Sequence, residues 1–343
     1  MVSFLLTAFA PPPPDPTEMY EVICRQFASH RTGYFRESIG SGSDPDAVMF
    51  NWGLGVVLSA ENALARLDPS RKPRLVSVIS MAETYWNPQG PVPGFDVNPG
   101  PPFPEDRYYD DNAWMAMTLV ESYEVTGDRH CLELAGKAID YCLSGLDRSL
   151  GGGIYWRENH KESKNTCSNG PTAAACLAVY RHTKEPRLLA AAQDIYAWTK
   201  KNLQDPKTHL FWDNMRQDGS VDKTFWSYNT ALMIRAAKGL AQATGQSRFG
   251  EDAAVMQRAA MAKWLKPAGV IDDETQFAHL LFENLDPGSF DYRQYAATLA
   301  ASRNNEGLFG TRWGQRAGSK SQMLHQAAAI RALAVAELWS RAK

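Results

Sequence analysis

Apolar positions recur every three or four residues along almost the whole chain, and strand-length alternation is nearly absent. The pattern predicts twelve amphipathic helices, over about 17–31, 47–67, 73–86, 110–126, 129–146, 166–183, 187–203, 225–244, 248–264, 275–284, 289–303 and 321–341. Gly127-Asp128, Glu185-Pro186, Gly245 and Lys266-Pro267 supply stop signals between them. The even-numbered helices are rich in small residues on all sides, as in "NWGLGVVLSAENALA" and "HQAAAIRALAVAEL". That composition lets a helix pack closely all round, as an inner layer does. Asn51, Asn112, Asn169 and Asn229 recur near the starts of four of them, at spacings of 61, 57 and 60 residues. A period of that size marks stacked helical hairpins. The preceding joins also repeat: "TGYFRE", "GGGIYWRE", "HLFWDNM" and "GLFGTRW" each place aromatics in a short extended stretch. The fold class expected is all-α, an (α/α)6 barrel of alternating inner and outer helices. The joins and the inner-helix N-termini would then share one rim, where acceptors and sugar faces are favoured. An open helical solenoid is the competing architecture.

Composition narrows the class. With 343 residues and a net charge of -2, the chain carries no basic stripe, which argues against nucleic acid and suits a neutral substrate. No apolar run approaches the roughly 20 residues of a membrane span. Residues 1–16 read as a tail or remnant export segment with a Pro-rich spacer, and 17–343 as a single catalytic domain. Location is then expected to be secreted or periplasmic, with cytoplasmic as the alternative, and the chain is expected to be a monomer. Cys24, Cys131, Cys142, Cys167 and Cys176 form no even framework. Cys131 and Cys142 lie eleven residues apart on one helix, about 16 Å, too far to bridge. Free, buried thiols are expected. The seven histidines show no metal pattern, and His279 and His325 read as satisfied structural residues. Gly151–Gly153 is a tight join without a P-loop lysine, so neither metal nor cofactor is expected.

The chemistry concentrates in "RYYDDNAWMAM". Asp110 and Asp111 sit side by side at a helix start. Adjacent Cα atoms are about 3.8 Å apart, so the carboxyls can lie roughly 5 Å apart, a retaining-glycosidase separation. The helix N-terminus favours one carboxylate, and like charge raises the pKa of the other. The bland alternative is that Asp110 is an N-cap and Asp111 an acidic first-turn residue. Asp272-Asp273 also precedes a helix and is read as a cap.

"YYDDNAWMAMTLVESYEVTGD" resembles the signature of glycoside hydrolase family 76, the retaining endo-α-1,6-mannanases. "GGGIYWRENHKESKNTCSNGPTAAACLAVYRHT" and "FWSYNTALMIRAA" resemble two further hallmarks, so the likeness runs from about Asn51 to Leu240 and more weakly onward. The family's barrel agrees with the ring read from periodicity. The resemblance implies cleavage of α-1,6-linked mannan or mannooligosaccharides, with Asp110 as nucleophile and Asp111 as general acid/base.

Asn165, Thr166 and Asn169 follow the "GGGIYW" join and are candidates for mannose hydroxyls, or for capping. Tyr228 and Asn229 hold the same place one repeat later. Trp156, Trp212, Trp226 and Trp313 are candidate sugar platforms, with core packing as the alternative. Asn51, Trp52, Tyr109 and Asp213 complete the candidate substrate-binding set, and Trp114 reads as packing behind the pair. Two features depart from the family. The tenth helix has Phe277-Ala278-His279 where Phe-Lys-Gly is common, which leaves subsite number and endo or exo action open. A Pro- and Gly-rich insert, "WNPQGPVPGFDVNPGPPFPEDR", enters just before Asp110 as a wall, a gate or a rigid loop. Other classes on such a barrel are transglycosylases, epimerases using His, and uronyl hydrolases needing a basic subsite. A non-catalytic glycan-binding scaffold is the non-enzyme alternative.

Overall fold

The computed structural model describes residues 15–31, 33–103 and 106–342. Residues 1–14, the bulk of the expected tail, lie outside the described residues. Among the described residues twelve α-helices form where the apolar period predicts them: α1 Pro16–Gln26, α2 Asn51–Leu67, α3 Lys72–Glu83, α4 Tyr109–Thr126, α5 Arg129–Ser144, α6 Thr166–Thr183, α7 Pro186–Leu203, α8 Ser227–Thr244, α9 Ser247–Trp264, α10 Thr275–Asn284, α11 Tyr292–Ala301 and α12 Met323–Arg341. Each even helix packs on the next, and α12 returns to α2. The ring is therefore closed, and the open solenoid is excluded. The odd helices pack outside it. The small-residue composition explains the layering, because α2 and α12 are buried nearly all round, whereas α5 and α9 bury one face. All five cysteines are free and buried, as expected.

A buried ionic centre holds the ring together. Arg331 of α12, with a side chain 6% exposed, donates to Ser59 O of α2 at 2.8 Å, to Glu121 of α4 at 2.8 and 3.0 Å, and to Glu283 of α10 at 2.7 Å. Four of the six inner helices meet on one guanidinium.

The joins are tied down by side chains from the helices that follow. Asn112 Oδ1 accepts from Phe95 N at 2.6 Å while its Nδ2 donates to Phe95 O at 2.9 Å. Asn169 grips Ile154 in the same way, at 2.8 and 3.0 Å, and Gln326 grips Phe309 at 2.8 and 2.9 Å. Thr230 accepts from Phe211 N at 3.1 Å. An amide carries both a donor and an acceptor, so one side chain closes both backbone groups of a buried residue. Two of the four repeated asparagines, Asn112 and Asn169, are thus devices for seating joins. We expect Asn169→Ala to destabilise the fold by about 1–3 kcal/mol, since it orphans buried backbone groups; thermal unfolding measures it.

The joins contain more sheet than the apolar pattern showed. Ser163–Asn165, Trp212–Arg216 and Val221–Phe225 form a three-stranded antiparallel sheet. The strands are short, and the residues of the second and third are half-buried or exposed, so no clean alternation marks them. The glycine run that leads into it is required: Gly153 has φ +80°, and a Cβ there would stand 2.5 Å from the Trp198 ring. Lys164, fully buried, locks this turn through Asp147 at 2.6 Å, Ser149 O at 2.9 Å and Gly152 O at 2.7 Å. The insert before α4 folds as a short hairpin, Trp86–Asn87 with Gly94–Phe95. Arg107 anchors it through Val92 O at 3.1 Å and Glu158 at 2.8 and 2.9 Å.

Candidate active site

Asp110 and Asp111 stand in the first turn of α4, half-buried. Neither caps the helix: the N-cap is Tyr108, whose side chain makes no capping bond. Asp110 is therefore not the N-cap, while Asp111 is the acidic first-turn residue that the alternative made it. The cap reading also needs correction at the second pair, because the N-cap of α10 is Glu274. Asp273 instead accepts from Ser227 N at 2.8 Å, at the start of α8, and from Glu274 N at 2.8 Å.

The two carboxyls have unlike surroundings. Asp110 Oδ2 accepts from Trp156 Nε1 at 3.0 Å and from Cys167 Sγ at 3.4 Å. Oδ1 is buried and makes no hydrogen bond. Burial pushes Asp110 up to about 6; the two side-chain donors and the first-turn N–H dipoles hold it from rising further. No described donor reaches the carboxyl of Asp111. Burial raises it well above the ordinary aspartate range, and the charges of Asp110 and Asp96 add to the rise. Asp96, carried in by the insert hairpin, is fully buried, accepting from Asn87 Nδ2 at 3.0 Å and from Val97 N at 2.7 Å. Asp110 is thus the easier to ionise, and Asp111 the one that keeps its proton.

Around the pair lies an aromatic wall. Phe277 of α10 stacks on Tyr228 at 4.4 Å and on Trp52 at 6.0 Å, and meets Trp226 at 5.3 Å. All four rings are half-buried. Asn229 Nδ2 donates to Asp213 Oδ1 at 3.4 Å, and burial raises Asp213. Each inner helix also brings a buried polar atom without a protein partner to its first turn: Asn51, Asp110 Oδ1, Ser168 Oγ, Asn229 Oδ1, Gln276 Oε1 and His325 Nε2. Buried polar atoms ordinarily have partners. A ring of them at the barrel mouth suits a ligand rich in hydroxyls. The opposite mouth holds a cavity of about 390 Å³ among charged side chains. There Arg66 and Arg181 both pair with Glu124.

Several expected roles need correction. Trp313 is 1% exposed and packs on Phe282 at 5.5 Å, so it is core and no platform. Tyr109 is 2% exposed and stacks on Tyr141 at 5.0 Å, in the seam between α4 and α5. Asn169 spends its whole amide on Ile154 and Asn165 O. Thr166 is buried and donates to Trp212 O at 2.6 Å, and buried Asn165 accepts from Ser163 Oγ at 2.6 Å. These side chains seat the joins. Trp156 turns its indole N–H to Asp110, its ring edge against Tyr108, so it serves the carboxylate. Trp212 is half-buried with Lys223 over its ring at 5.0 Å. Trp114, 4% exposed, is a core residue whose ring lies 6.3 Å from that of His279. His279 and His325 are buried, and burial lowers each to about 4. Neither is satisfied: both nitrogens of His279 and Nε2 of His325 find no partner. Asp96, Cys167 and Phe277 were not assigned a site role from sequence; only the closeness of the insert to Asp110 hinted at the first. Among the described residues no group of His, Cys, Asp and Glu is arranged for a metal ion, and no helix is long and apolar enough to cross a membrane.

Paired carboxyls of unequal proton affinity beside an aromatic wall, at the mouth of an all-α barrel, are the equipment of a glycoside hydrolase. The chain belongs to glycosyl hydrolase family 76, whose model matches residues 52–336. A GH76 α-mannanase from Bacteroides thetaiotaomicron superposes with a TM-score of 0.89 at 27% identity, over 95% of each chain. The GH76A α-1,6-mannanase of Salegentibacter sp. HEL1_6 superposes at 0.78 and 24% identity, over 94% of this chain and 99% of that one. An inactive variant of the latter, with two adjacent aspartates changed to asparagine, has been crystallised with α-1,6-mannotriose, at the same similarity. No curated protein matches the chain in sequence.

Proposed function

We propose that the chain cleaves α-1,6-mannosidic bonds in mannan or mannooligosaccharides by a retaining double displacement. The observation that carries this reading is the asymmetry of the pair. Asp110 has donors that favour its carboxylate, and Asp111 has like charges that favour its acid. Asp110 Oδ1 attacks C1 of the mannosyl unit as the C1–O6 bond breaks, its electron pair leaving with O6. Asp111 gives its proton to that oxygen. Water then attacks C1, Asp111 takes its proton, and the C1–Oδ1 bond breaks to restore the Asp110 carboxylate. The aromatic wall of Trp52, Phe277, Tyr228 and Trp226 offers faces for the C–H side of sugar rings. Asn51 and Asn229 have unmatched polar atoms for hydroxyls. The B. thetaiotaomicron protein is named as an α-mannanase and the Salegentibacter one as an α-1,6-mannanase, which supports a mannan substrate. Linear α-1,6-mannooligosaccharides should be shortened by the chain, and α-1,2- and α-1,3-linked ones left intact. Chromatography of the products tests this; equal cleavage of all three linkages would refute it.

A further inference from the structure

We propose that the Cys167 thiol is a positioning residue for the nucleophile, holding Asp110 Oδ2 from the α6 side so that Oδ1 is the oxygen turned to the sugar. This rests on Asp110 as nucleophile. Three features carry it. Only Oδ2 has side-chain donors, Trp156 Nε1 at 3.0 Å and Cys167 Sγ at 3.4 Å, while Oδ1 is buried with none. The donors come from different elements, the "GGGIYW" join and α6, so together they fix the carboxylate about a torsion that is otherwise broad. The thiol also has a neighbour on its far side. Tyr228 lies against it, and the Tyr228 ring stacks on Phe277 at 4.4 Å. Cys167 thus sits between the aromatic wall and one oxygen of Asp110.

The groups facing Asp110 are Asp111 on its own helix, Cys142 of α5, Cys167 of α6 and Tyr228 of α8. Asp96 stands behind Asp111, and Asp213 behind Cys167. None is a cation. Hydrogen bonds to Oδ2 are therefore the local counterweight to burial, and losing one should register in the titration of Asp110. Of the remaining thiols Cys142 donates to Tyr109 O at 3.3 Å, and none of Cys24, Cys131, Cys142 and Cys176 donates to a carboxylate among the described residues.

The test is a carboxyl titration by NMR in protein carrying ¹³C at the aspartate side-chain carboxyls, with Asp110 assigned by the signal lost in Asp110→Asn. Cys167→Ala should raise the Asp110 midpoint by about half a pH unit or more, the scale of one modest hydrogen bond to a charge. Cys167→Ser, with a stronger hydroxyl donor, should lower it below the native value. The acidic limb of kcat/KM should move with each. Equal midpoints in native and variant protein overturn the role and leave the thiol as packing. Either variant decides the matter if the other fails to fold. The titration uses no substrate, so absent mannan cleavage would sink the functional reading while this one was still decided.

Discussion

Asp110→Asn should abolish measurable hydrolysis, with a loss of about 10⁴-fold or more, because in the proposed mechanism Asp110 alone forms the glycosyl bond. Asp111→Asn should cost about 10²- to 10⁴-fold, the usual worth of a general acid/base, and should spare leaving groups that need no proton. Neither change should unfold the chain. The sign follows from the proton affinities. Burial raises both carboxyls above their unfolded values, Asp110 to about 6 and Asp111 further. Such groups favour folding when protonated, and that contribution is lost as pH rises through the folded values. At neutral pH an Asn variant removes a desolvated charge, so its thermal midpoint should equal or exceed that of the native chain. In the native chain the same affinities predict a bell: kcat/KM rises as Asp110 ionises near pH 6 and falls as Asp111 loses its proton. Thermal unfolding and a pH–rate profile check both halves. A variant that unfolds would mean that the pair is structural.

The second large effect lies at the centre of the ring. Arg331→Ala should destabilise the protein by about 3–5 kcal/mol, because it takes the guanidinium away from Glu121 and from buried Glu283 and leaves Glu283 its pair with Arg235 alone. Against a typical total of about 5–15 kcal/mol, that loss is severe. Burial alone would raise Glu283, yet Arg331 and Arg235 hold it down at about 2. Its contribution is therefore full above the ordinary glutamate range and fades as pH falls through that range toward 2. Adding Glu283→Leu and Glu121→Leu to Arg331→Met should recover most of the loss, since an apolar centre needs no ion pair. Denaturant unfolding at neutral pH measures both.

The helices were legible because packed helices leave a 3.6-residue apolar period on the sequence, and because small residues on every side betray an inner helix of the ring. The adjacent aspartates were legible because two like charges at one helix start demand an explanation. The Asn repeat was visible but its work was not. An amide in a first turn can cap, bind or clamp, and only the residue 15 to 17 positions upstream, brought back by the join, decides in favour of clamping. Trp156 and Trp313 sit in similar joins, yet one turns to Asp110 and the other into the core. That choice is made by the path of the backbone, which carries no local signature. Asp96 and Phe277 belong to the site only through tertiary contact, one on a hairpin, the other on α10 across the barrel. In Phe277-Ala278-His279 the position that agrees with Phe-Lys-Gly builds the wall: Phe277 is the ring on which Trp52, Trp226 and Tyr228 converge.

The central claim is that Asp110 attacks the sugar while Asp111 moves the proton. The most direct measurement is NMR of the first-formed anomer during hydrolysis of a linear α-1,6-mannooligosaccharide, with Asp110→Asn as control. The account predicts an α-anomer that mutarotates later, absent in the variant. A β-anomer formed first would mean inversion by a single displacement and would contradict the account.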